Sequence, residues 1–207
     1  MAHSTPQVLI IGHSFVRRLK SDLLVQFDER AFTNFGLCGS AVVHMHGVGG
    51  RTVAKLRKHD LGVVSSLCPD IVILEMGTND LALSQPEVVG SELEELVRLL
   101  LDQYFVRVVV LCHVTPRAHS HGQVIKTDFN TKAALLNQYT RVVLEHVSPV
   151  FCWTHRGFSN PSVSPFLPDG VHFNHMGQFA LYRSYRGAIL TALRMLLHVV
   201  SPCNVSK

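Results

Sequence analysis

The sequence predicts an α/β protein: a three-layer α/β/α sandwich built on a flavodoxin-like, five-stranded parallel sheet. Five short apolar runs, rich in Val and Ile and mostly without polar alternation, have the composition of strands covered on both faces. Segments with apolar residues at helical spacing lie between these runs. This alternation favours a parallel sheet with helices on both faces, and the number of strands favours the flavodoxin-like order.

The predicted strands are the five apolar runs, in chain order Val8–Ile11, Ala41–Met45, Ile71–Glu75, Val106–Leu111 and Val150–Trp153. In a flavodoxin-like sheet the topological switch point falls between the first and third strands, and ligands bind outside the carboxyl ends of the strands there. The first strand ends at Gly12-His13-Ser14 and the third at Gly77-Thr78-Asn79-Asp80. We therefore expect Ser14 and Asn79 to face one crevice.

The predicted helices carry an apolar residue every three or four positions. One begins after Ser14, a second near Val53, a third after Pro86, and a last runs from about His175 to His198. The apolar positions are Val16, Leu19, Leu23, Leu24 and Phe27 in the first helix; Val89, Leu93, Leu96, Val97 and Leu100 after Pro86; and Phe129, Ala133, Leu136, Val143 and Val147 in another helix before the fifth strand.

Two segments are rich in turn-forming residues and are predicted to be surface loops: Thr115–Lys126 and His155–Pro168. Either loop could form a side of a substrate pocket. The tail from Ser201 is expected to fray. The chain has 207 residues, 47% of them hydrophobic and 16% charged, which is a globular composition. That length fits one domain spanning 1–207.

The net charge of +4 is modest, and the basic residues form two loose clusters. Solvated helix faces explain such clusters more simply than a patch for nucleic acid or an anionic membrane. A basic adaptor nevertheless remains as one alternative function. The clusters are Arg17-Arg18-x-Lys20, and Arg51 with Lys55, Arg57 and Lys58.

The five cysteines are an odd number, widely spaced, with no Cys-x-x-Cys pair, so neither a zinc knuckle nor a redox motif is expected. The pairs His44-Met-His46 and His119-Ser-His121 lack further ligands at useful spacing, and we expect neither a metal nor a cofactor. The longest apolar stretch, Gly187–Val200, is too short and too polar to span a bilayer. With no visible signal peptide, the expectation is a soluble, cytoplasmic protein; a homodimer is open.

Ser14 follows a predicted strand and opens a predicted helix. By itself a serine there is most simply an N-cap, whose side chain bonds the free amides of the first turn. The same position also suits a nucleophile, because a helix N-terminus stabilises negative charge near the hydroxyl.

A glycine-rich stretch around Gly49-Gly50 and the turn Gly77-Thr78-Asn79-Asp80 both have ordinary explanations as turns. Each also contains a candidate oxyanion donor. The Gly50 backbone amide can approach a reacting carbonyl closely, and the Asn79 amide can be aimed into the crevice. The stretch is not a phosphate-binding Walker loop, since the Gly-Lys-Ser/Thr ending is missing.

The motif Asp169-Gly170-Val171-His172 places a carboxylate three residues before an imidazole. In a compact turn Asp169 can hold one ring nitrogen of His172, which leaves the other nitrogen to take a proton from serine. Each segment alone is weak, but together and in this order they indicate a serine hydrolase. The Gly-x-Ser-x-Gly elbow of α/β-hydrolases is absent.

At these residues the chain resembles the SGNH (GDSL-type) hydrolase family over nearly its whole length. The matching blocks are Val-Leu-Ile-Ile-Gly-His-Ser-Phe, Val-Gly-Gly-Arg-Thr, Met-Gly-Thr-Asn-Asp and Asp-Gly-Val-His-Phe-Asn. The resemblance implies a flavodoxin-like arrangement, metal-free hydrolysis of carboxylic esters such as acetyl or lipid esters, Ser14, Asp169 and His172 as catalytic residues, and Ser14, Gly50 and Asn79 as the oxyanion hole. Gly-His-Ser-Phe-Val-Arg-Arg-Leu also resembles animal members, some carried in retroelement reading frames.

One departure from the family pattern is His13, where the family usually has Asp. Neighbouring side chains in an extended segment diverge, so His13 should point away from the crevice and pack behind the site. A tolerated substitution in a working esterase is the preferred interpretation. The alternative that His13 motivates is a catalytically impaired binding module with a hydrolase fold.

Overall fold

A computed structural model describes residues 5–25, 33–156, 158 and 164–199. It contains a five-stranded, entirely parallel sheet in the order β2-β1-β3-β4-β5. This order confirms the flavodoxin-like prediction, with β1 beside β3 at the switch point. Phe27 and the tail from Ser201, on which two predictions fall, lie outside the described residues.

The strands are β1 (Gln7–Gly12), β2 (Val42–Gly47), β3 (Ile71–Glu75), β4 (Val108–Cys112) and β5 (Val150–Trp153). The helices are α1 (Ser14–Val25), α2 (Val53–His59), α3 (Leu61–Leu67), α4 (Pro86–Asp102), α5 (Lys126–Leu144) and α6 (His175–Val199), with a 3₁₀ turn at Thr33–Gly36. The five predicted strands are therefore present: β3 and β5 have the predicted ends, and the ends of the other three are shifted by one or two residues.

Two hydrophobic layers sandwich the sheet, because alternate strand residues point to opposite faces. Leu9, Val72 and Val109 belong to the layer shared with α2 to α5. Ile10, Ile73 and Val110 belong to the layer shared with α1 and α6. The central strands β3 and β4 are buried at every position.

The prediction that all five strands are covered on both faces is wrong for β2. Its residues are only partly buried, and Val42 is exposed. It is an edge strand paired with β1 alone. An edge strand keeps one side open to solvent, which a Val-rich run does not reveal from sequence.

The segment Thr115–Lys126 is also not a surface loop throughout. Thr115 and Arg117 are buried, whereas Pro116, His119 and Ser120 are exposed. The chain dips inward after β4 because Asn130 of α5 bonds both backbone groups of Arg117, at 2.8 and 3.1 Å. In the described part of the chain, no helix has the length and apolarity needed to cross a membrane.

Glycine at two strand ends allows close packing around the switch point. A Cβ on Gly12 would clash with the carbonyl oxygen of Glu75 in β3, and one on Gly47 would clash with the backbone nitrogen of Arg17 in α1. A side chain at Gly12 would therefore push the ends of β1 and β3 apart, and one at Gly47 would push the first turn of α1 off the sheet edge.

Candidate active site

Ser14 is the first residue of α1, directly beyond the carboxyl end of β1. Its Oγ lies 3.1 Å from Nε2 of His172, 158 residues away in the chain. As the first residue of a helix, Ser14 also has a backbone N–H without a partner inside that helix. The helix N-terminus thus holds both a hydroxyl beside an imidazole and a free amide beside that hydroxyl.

The other ring nitrogen of His172, Nδ1, lies 2.7 Å from Oδ2 of Asp169. The second carboxylate oxygen, Oδ1, accepts the backbone N–H groups of Val171 and His172, each at 2.9 Å. Burial opposes ionisation of Asp169, but these bonds from His172 and Val171 outweigh it and lower the pKa of the carboxyl to about 2. An ionised Asp169 therefore accepts the Nδ1 proton and leaves Nε2 free to accept from Ser14.

The loop that carries this pair is braced from two sides. The backbone N–H of Ala118 donates to the carbonyl of Gly170 at 2.8 Å. The ring of Phe173 packs on Phe15 of α1, with centroids 4.4 Å apart. Gly170 has a φ of +67°, and a Cβ there would lie 2.5 Å from the backbone nitrogen of His119, so the turn requires glycine.

Of the other predicted site residues, Asn79 lies in the turn after β3 and donates from Nδ2 to the carbonyl oxygen of Arg51 at 2.9 Å. An amide group has two protons, so the second remains for another acceptor. Gly50 has a φ of +67°, and a Cβ there would meet nothing within 4 Å. The loops after β2 and β3 are thus joined, with Gly50 at an open position next to Arg51.

Asp80 and Asp60 fix these two loops. Oδ1 of the buried Asp80 accepts the backbone N–H of Val53 at the start of α2, at 2.8 Å. Burial is the main cause that raises the pKa of Asp80 above its usual range. Arg51 binds Asp60 through Nε and Nη2, at 2.6 and 3.0 Å, so the end of this loop that leads into α2 is held by both acids.

His13 points behind the site, as predicted, and is 1% exposed. Its Nδ1 accepts the backbone N–H of Phe15 at 3.4 Å, and its Nε2 lies 3.9 Å from Oε1 of Glu75. Burial lowers the pKa of His13 to about 4, against the attraction of Glu75. A neutral ring on the far side of Ser14 does not replace His172 as a base.

A buried polar cluster around Glu75 was not predicted from the sequence. Oε2 of Glu75, at the end of β3, lies 2.8 Å from Nε2 of His155 and accepts the Tyr185 hydroxyl at 2.8 Å. Nδ1 of His155 lies 2.8 Å from Oγ of Ser184 in α6. Burial would raise the pKa of Glu75, but its partners, His155 foremost, bring it below its usual range. The available signal was an acidic residue ending an apolar run.

Several of the side chains that could ligate a metal have other partners. Nε2 of His44 bonds Gln7 and Nε2 of His46 bonds Asp60, so this pair does not converge. Glu75, His155 and Cys112 do come within 4.8 Å of one another. Glu75 and His155 are already bonded, and burial raises the pKa of the Cys112 thiol well above its usual range, which keeps it protonated.

Two of the four residues in the second predicted basic cluster are paired with acidic neighbours. Arg51 is paired with Asp60, and Arg57 with Glu95 at 2.9 Å. Paired arginines contribute little to a patch that would attract nucleic acid or an anionic membrane.

The sequence profile of the GDSL-like lipase/acylhydrolase family matches residues 13–179 of the chain. The chain belongs to this family. The matched range includes Ser14, Gly50, Asn79, Asp169 and His172. Family membership supports ester hydrolysis as the general chemistry of this chain.

Solved structures with the same fold include other members and esterases. A GDSL-like lipase from Bacteroides thetaiotaomicron is 19% identical, with 92% of this chain and 93% of that chain covered and a TM-score of 0.67. An acetyl esterase variant with acetate ion is 15% identical, at 92% and 99% coverage and a TM-score of 0.67. An acetylxylan esterase from Geobacillus stearothermophilus is 15% identical, at 95% and 96% and 0.63. No match was found among curated proteins.

Proposed function

We propose that this protein is a serine esterase that cleaves carboxylic esters through an acyl-serine intermediate. The observation that carries the proposal is the continuous hydrogen-bonded path from Asp169 through His172 to Ser14, at 2.7 and 3.1 Å. The path ends on a helix N-terminus at the switch point of the sheet, where ligands of such sheets bind. The side chains of His172 and Asp169 are 21% and 28% exposed, so a substrate can reach them.

In the first half of the reaction Oγ of Ser14 attacks the ester carbonyl carbon. Nε2 of His172 takes the hydroxyl proton as the new C–O bond forms. Asp169 stays ionised and stabilises the imidazolium that results. The same proton then moves from Nε2 to the leaving alcohol, which departs and leaves an acyl group on Ser14.

Three donors are available for the negative oxygen that develops. They are the backbone amides of Ser14 and Gly50 and the second Nδ2 proton of Asn79. The hydrogen bond between Asn79 and the Arg51 carbonyl orients the amide before substrate arrives. In the second half water attacks the acyl carbon while Nε2 of His172 takes a proton from it. The bond from that carbon to Oγ of Ser14 then breaks, the proton passes from Nε2 to Oγ, and the acid is released. Each step uses side chains and backbone amides of this chain, together with water.

A short acyl group, of the acetyl type, is the substrate class that we propose. Two of the similar structures are described as an acetyl esterase and an acetylxylan esterase. The family description also includes lipases. Acyl length therefore needs to be measured, and efficient turnover of long acyl chains would contradict this part of the proposal.

The first experiment is hydrolysis of p-nitrophenyl esters from acetate to palmitate by the wild type and by Ser14→Ala and His172→Ala. We expect activity with acetate that decreases with acyl length and is lost in both variants. Ser65→Ala, an exposed serine on α3, is the matched control and should keep wild-type rates. A folded wild type that is inactive across the series would favour the binding module that His13 suggests, and His13→Asp would then be the variant to make.

A further inference from the structure

A cavity of about 660 Å³ lies at the carboxyl ends of β4 and β5, beside the crevice that holds Ser14. The loop after β4 forms one wall, and the described residues after β5 that line the other are Thr154, His155, Phe158, Ser164, Pro165 and Phe166. Among the residues described, neither Ser14, Asn79 nor His172 lines it. The proposed reaction therefore leaves this cavity without a role.

Three polar side chains that line this cavity carry buried atoms with no hydrogen-bond partner in the described part of the chain. These atoms are Nε2 of His113, Oγ1 of Thr115, and both Nε and Nη1 of Arg117. The three residues are 5%, 7% and 7% exposed. A buried donor without an acceptor is costly, and such groups are rare in folded proteins. Three of them around one cavity point to a missing acceptor.

Because Arg117 is positively charged, an anion is the acceptor that suits it. Its guanidinium carbon lies 4.0 Å from the centre of the Phe129 ring, and it forms no ion pair within the described ranges. Burial lowers the pKa of Arg117, with no acidic group opposing that effect. The aromatic face offsets only part of the desolvation of a guanidinium, which is a group that binds carboxylate and phosphate through paired N–H donors.

The other two side chains suit the same ligand. Nδ1 of His113 lies 2.8 Å from the Thr154 hydroxyl. When that hydroxyl donates to Nδ1, the ring proton is on Nε2, which has no partner among the described residues. The Thr115 hydroxyl is a further potential donor. Phe158 and Phe166 supply apolar wall, which fits a ligand with a carbon group beside its charge.

We propose that this cavity binds a small organic anion, a carboxylate or a phosphate monoester, with Arg117 as its charge partner and Thr115 and His113 as further donors. The anion is either a group of the ester substrate itself or a separate effector. An effector would act on the proposed catalytic loop, because Ala118, next to Arg117, donates to the carbonyl of Gly170. Only this link to activity rests on the proposed esterase function.

Binding is tested first, without catalysis. Calorimetric titration of the wild type with benzoate and phenyl phosphate should give saturable binding, and uncharged benzamide should give none. Arg117→Gln should weaken the affinity at least about tenfold, as expected for loss of charge-assisted hydrogen bonds. Thr115→Val, which keeps the side-chain shape, should weaken it less. Arg98→Gln, which removes an arginine paired with Glu94 on the exposed side of α4, is the matched charge control and should bind as wild type.

Binding that is absent in folded wild type, that is equal for benzamide, or that persists unchanged in Arg117→Gln would overturn the proposal. If Arg117→Gln fails to fold, Thr115→Val decides. Ser14→Ala should bind both anions like the wild type. An inactive wild type that still binds benzoate would refute the esterase and leave the anion site in place.

The two sources of the anion give different kinetics. If the anion is part of the substrate, benzoate competes with 4-acetoxybenzoate, and Arg117→Gln loses kcat/KM for that ester while keeping it for phenyl acetate. If the anion is an effector, benzoate changes kcat for phenyl acetate, and Arg117→Gln abolishes the change.

Discussion

Two carboxylate–histidine–serine chains lie on the same side of the sheet, and their bonds are alike. Asp169, His172 and Ser14 are joined at 2.7 and 3.1 Å. Glu75, His155 and Ser184 are joined at 2.8 and 2.8 Å. The connectivity that identifies a catalytic triad therefore occurs twice in this molecule, and connectivity alone does not separate a catalytic group from a structural one.

Exposure and backbone position separate the two chains. His172 and Asp169 are 21% and 28% exposed, whereas His155 and Glu75 are 2% and 1% exposed. Ser14 begins a helix, whereas Ser184 lies inside α6, where its backbone N–H is used by the helix. The Ser184 hydroxyl oxygen also accepts the indole N–H of Trp153 at 2.9 Å. The first chain can meet a substrate and stabilise an oxyanion, and the second holds β3, the segment after β5 and α6 together.

The largest expected effect comes from removing each serine in turn. Ser14→Ala should lower kcat for acetate esters by about 10⁴- to 10⁶-fold, since a triad works as a unit. Ser184→Ala should keep most of the activity and lose stability instead, because His155 and Trp153 lose their shared partner. A fluorophosphonate probe should label Ser14 and leave Ser184 unlabelled. Labelling of Ser184 in the folded protein would show that access does not separate the two chains.

The second prediction concerns Glu75, the acid of the buried group Glu75, His155 and Ser184. Glu75→Leu should lower the free energy of unfolding by about 2–6 kcal/mol, because the Tyr185 hydroxyl and the His155 N–H are left buried without an acceptor, at about 1–3 kcal/mol each. Glu75→Gln keeps an acceptor oxygen and should lose less. Urea denaturation of both variants provides the measurement. Equal losses in the two variants would show that packing volume, rather than hydrogen bonding, is what Glu75 supplies.

The third prediction concerns Asn79, the side-chain oxyanion donor proposed for the exposed group of Asp169, His172 and Ser14. Asn79→Ala should lower kcat by about 10²- to 10³-fold with little change in KM, as expected for a donor used mainly in the transition state. Steady-state kinetics with p-nitrophenyl acetate measures this. Because Asn79 also bonds the Arg51 carbonyl, thermal unfolding of the variant is a necessary companion measurement. A change confined to KM would instead make Asn79 a substrate-binding group.

The sequence predicts the exposed chain well and misses the buried one, for a physical reason. Ser14, Asn79, Asp169 and His172 follow strand ends or lie in a compact turn, so local patterns and the parallel topology together place them near one edge. Glu75 and His155 are 80 residues apart, in segments without a motif. Their pairing depends on where His155, just after β5, comes to lie against the end of β3.

The same limit applies to burial of polar groups in loops. The segment that contains Arg117 has the composition of a surface loop, yet Asn130 of α5 draws its backbone inward. Composition reports the average preference of a residue type, whereas burial of one arginine is decided by tertiary neighbours. For β2, similarly, Val-rich sequence does not distinguish an edge strand from a central one.

The smallest predicted effect concerns His13, which lies between the two chains and is influenced by His172, His155 and Glu75. Burial lowers its pKa to about 4, from about 6.5 in an unfolded chain. Between these values the unfolded state binds a proton that the folded state does not, so the free energy of unfolding decreases as the pH is lowered from 6.5 to about 4. Urea denaturation at steps across this range should show the decrease.

His13→Asn should make that decrease shallower, since asparagine can still accept the Phe15 N–H but does not titrate. Burial likewise lowers the pKa of His113 to about 4, so His113→Asn should have a similar effect and the double variant a larger one. The depressed pKa values of Asp169 and Glu75 affect a separate window, because stability from an acid with a lowered pKa is lost only below about pH 4. An unchanged slope between pH 4 and 6.5 in His13→Asn would mean that His13 is charged beside Glu75. His13, behind Ser14, would then form an ion pair with Glu75. It would link the exposed and the buried carboxylate–histidine–serine groups through its charge, whereas a neutral ring would not.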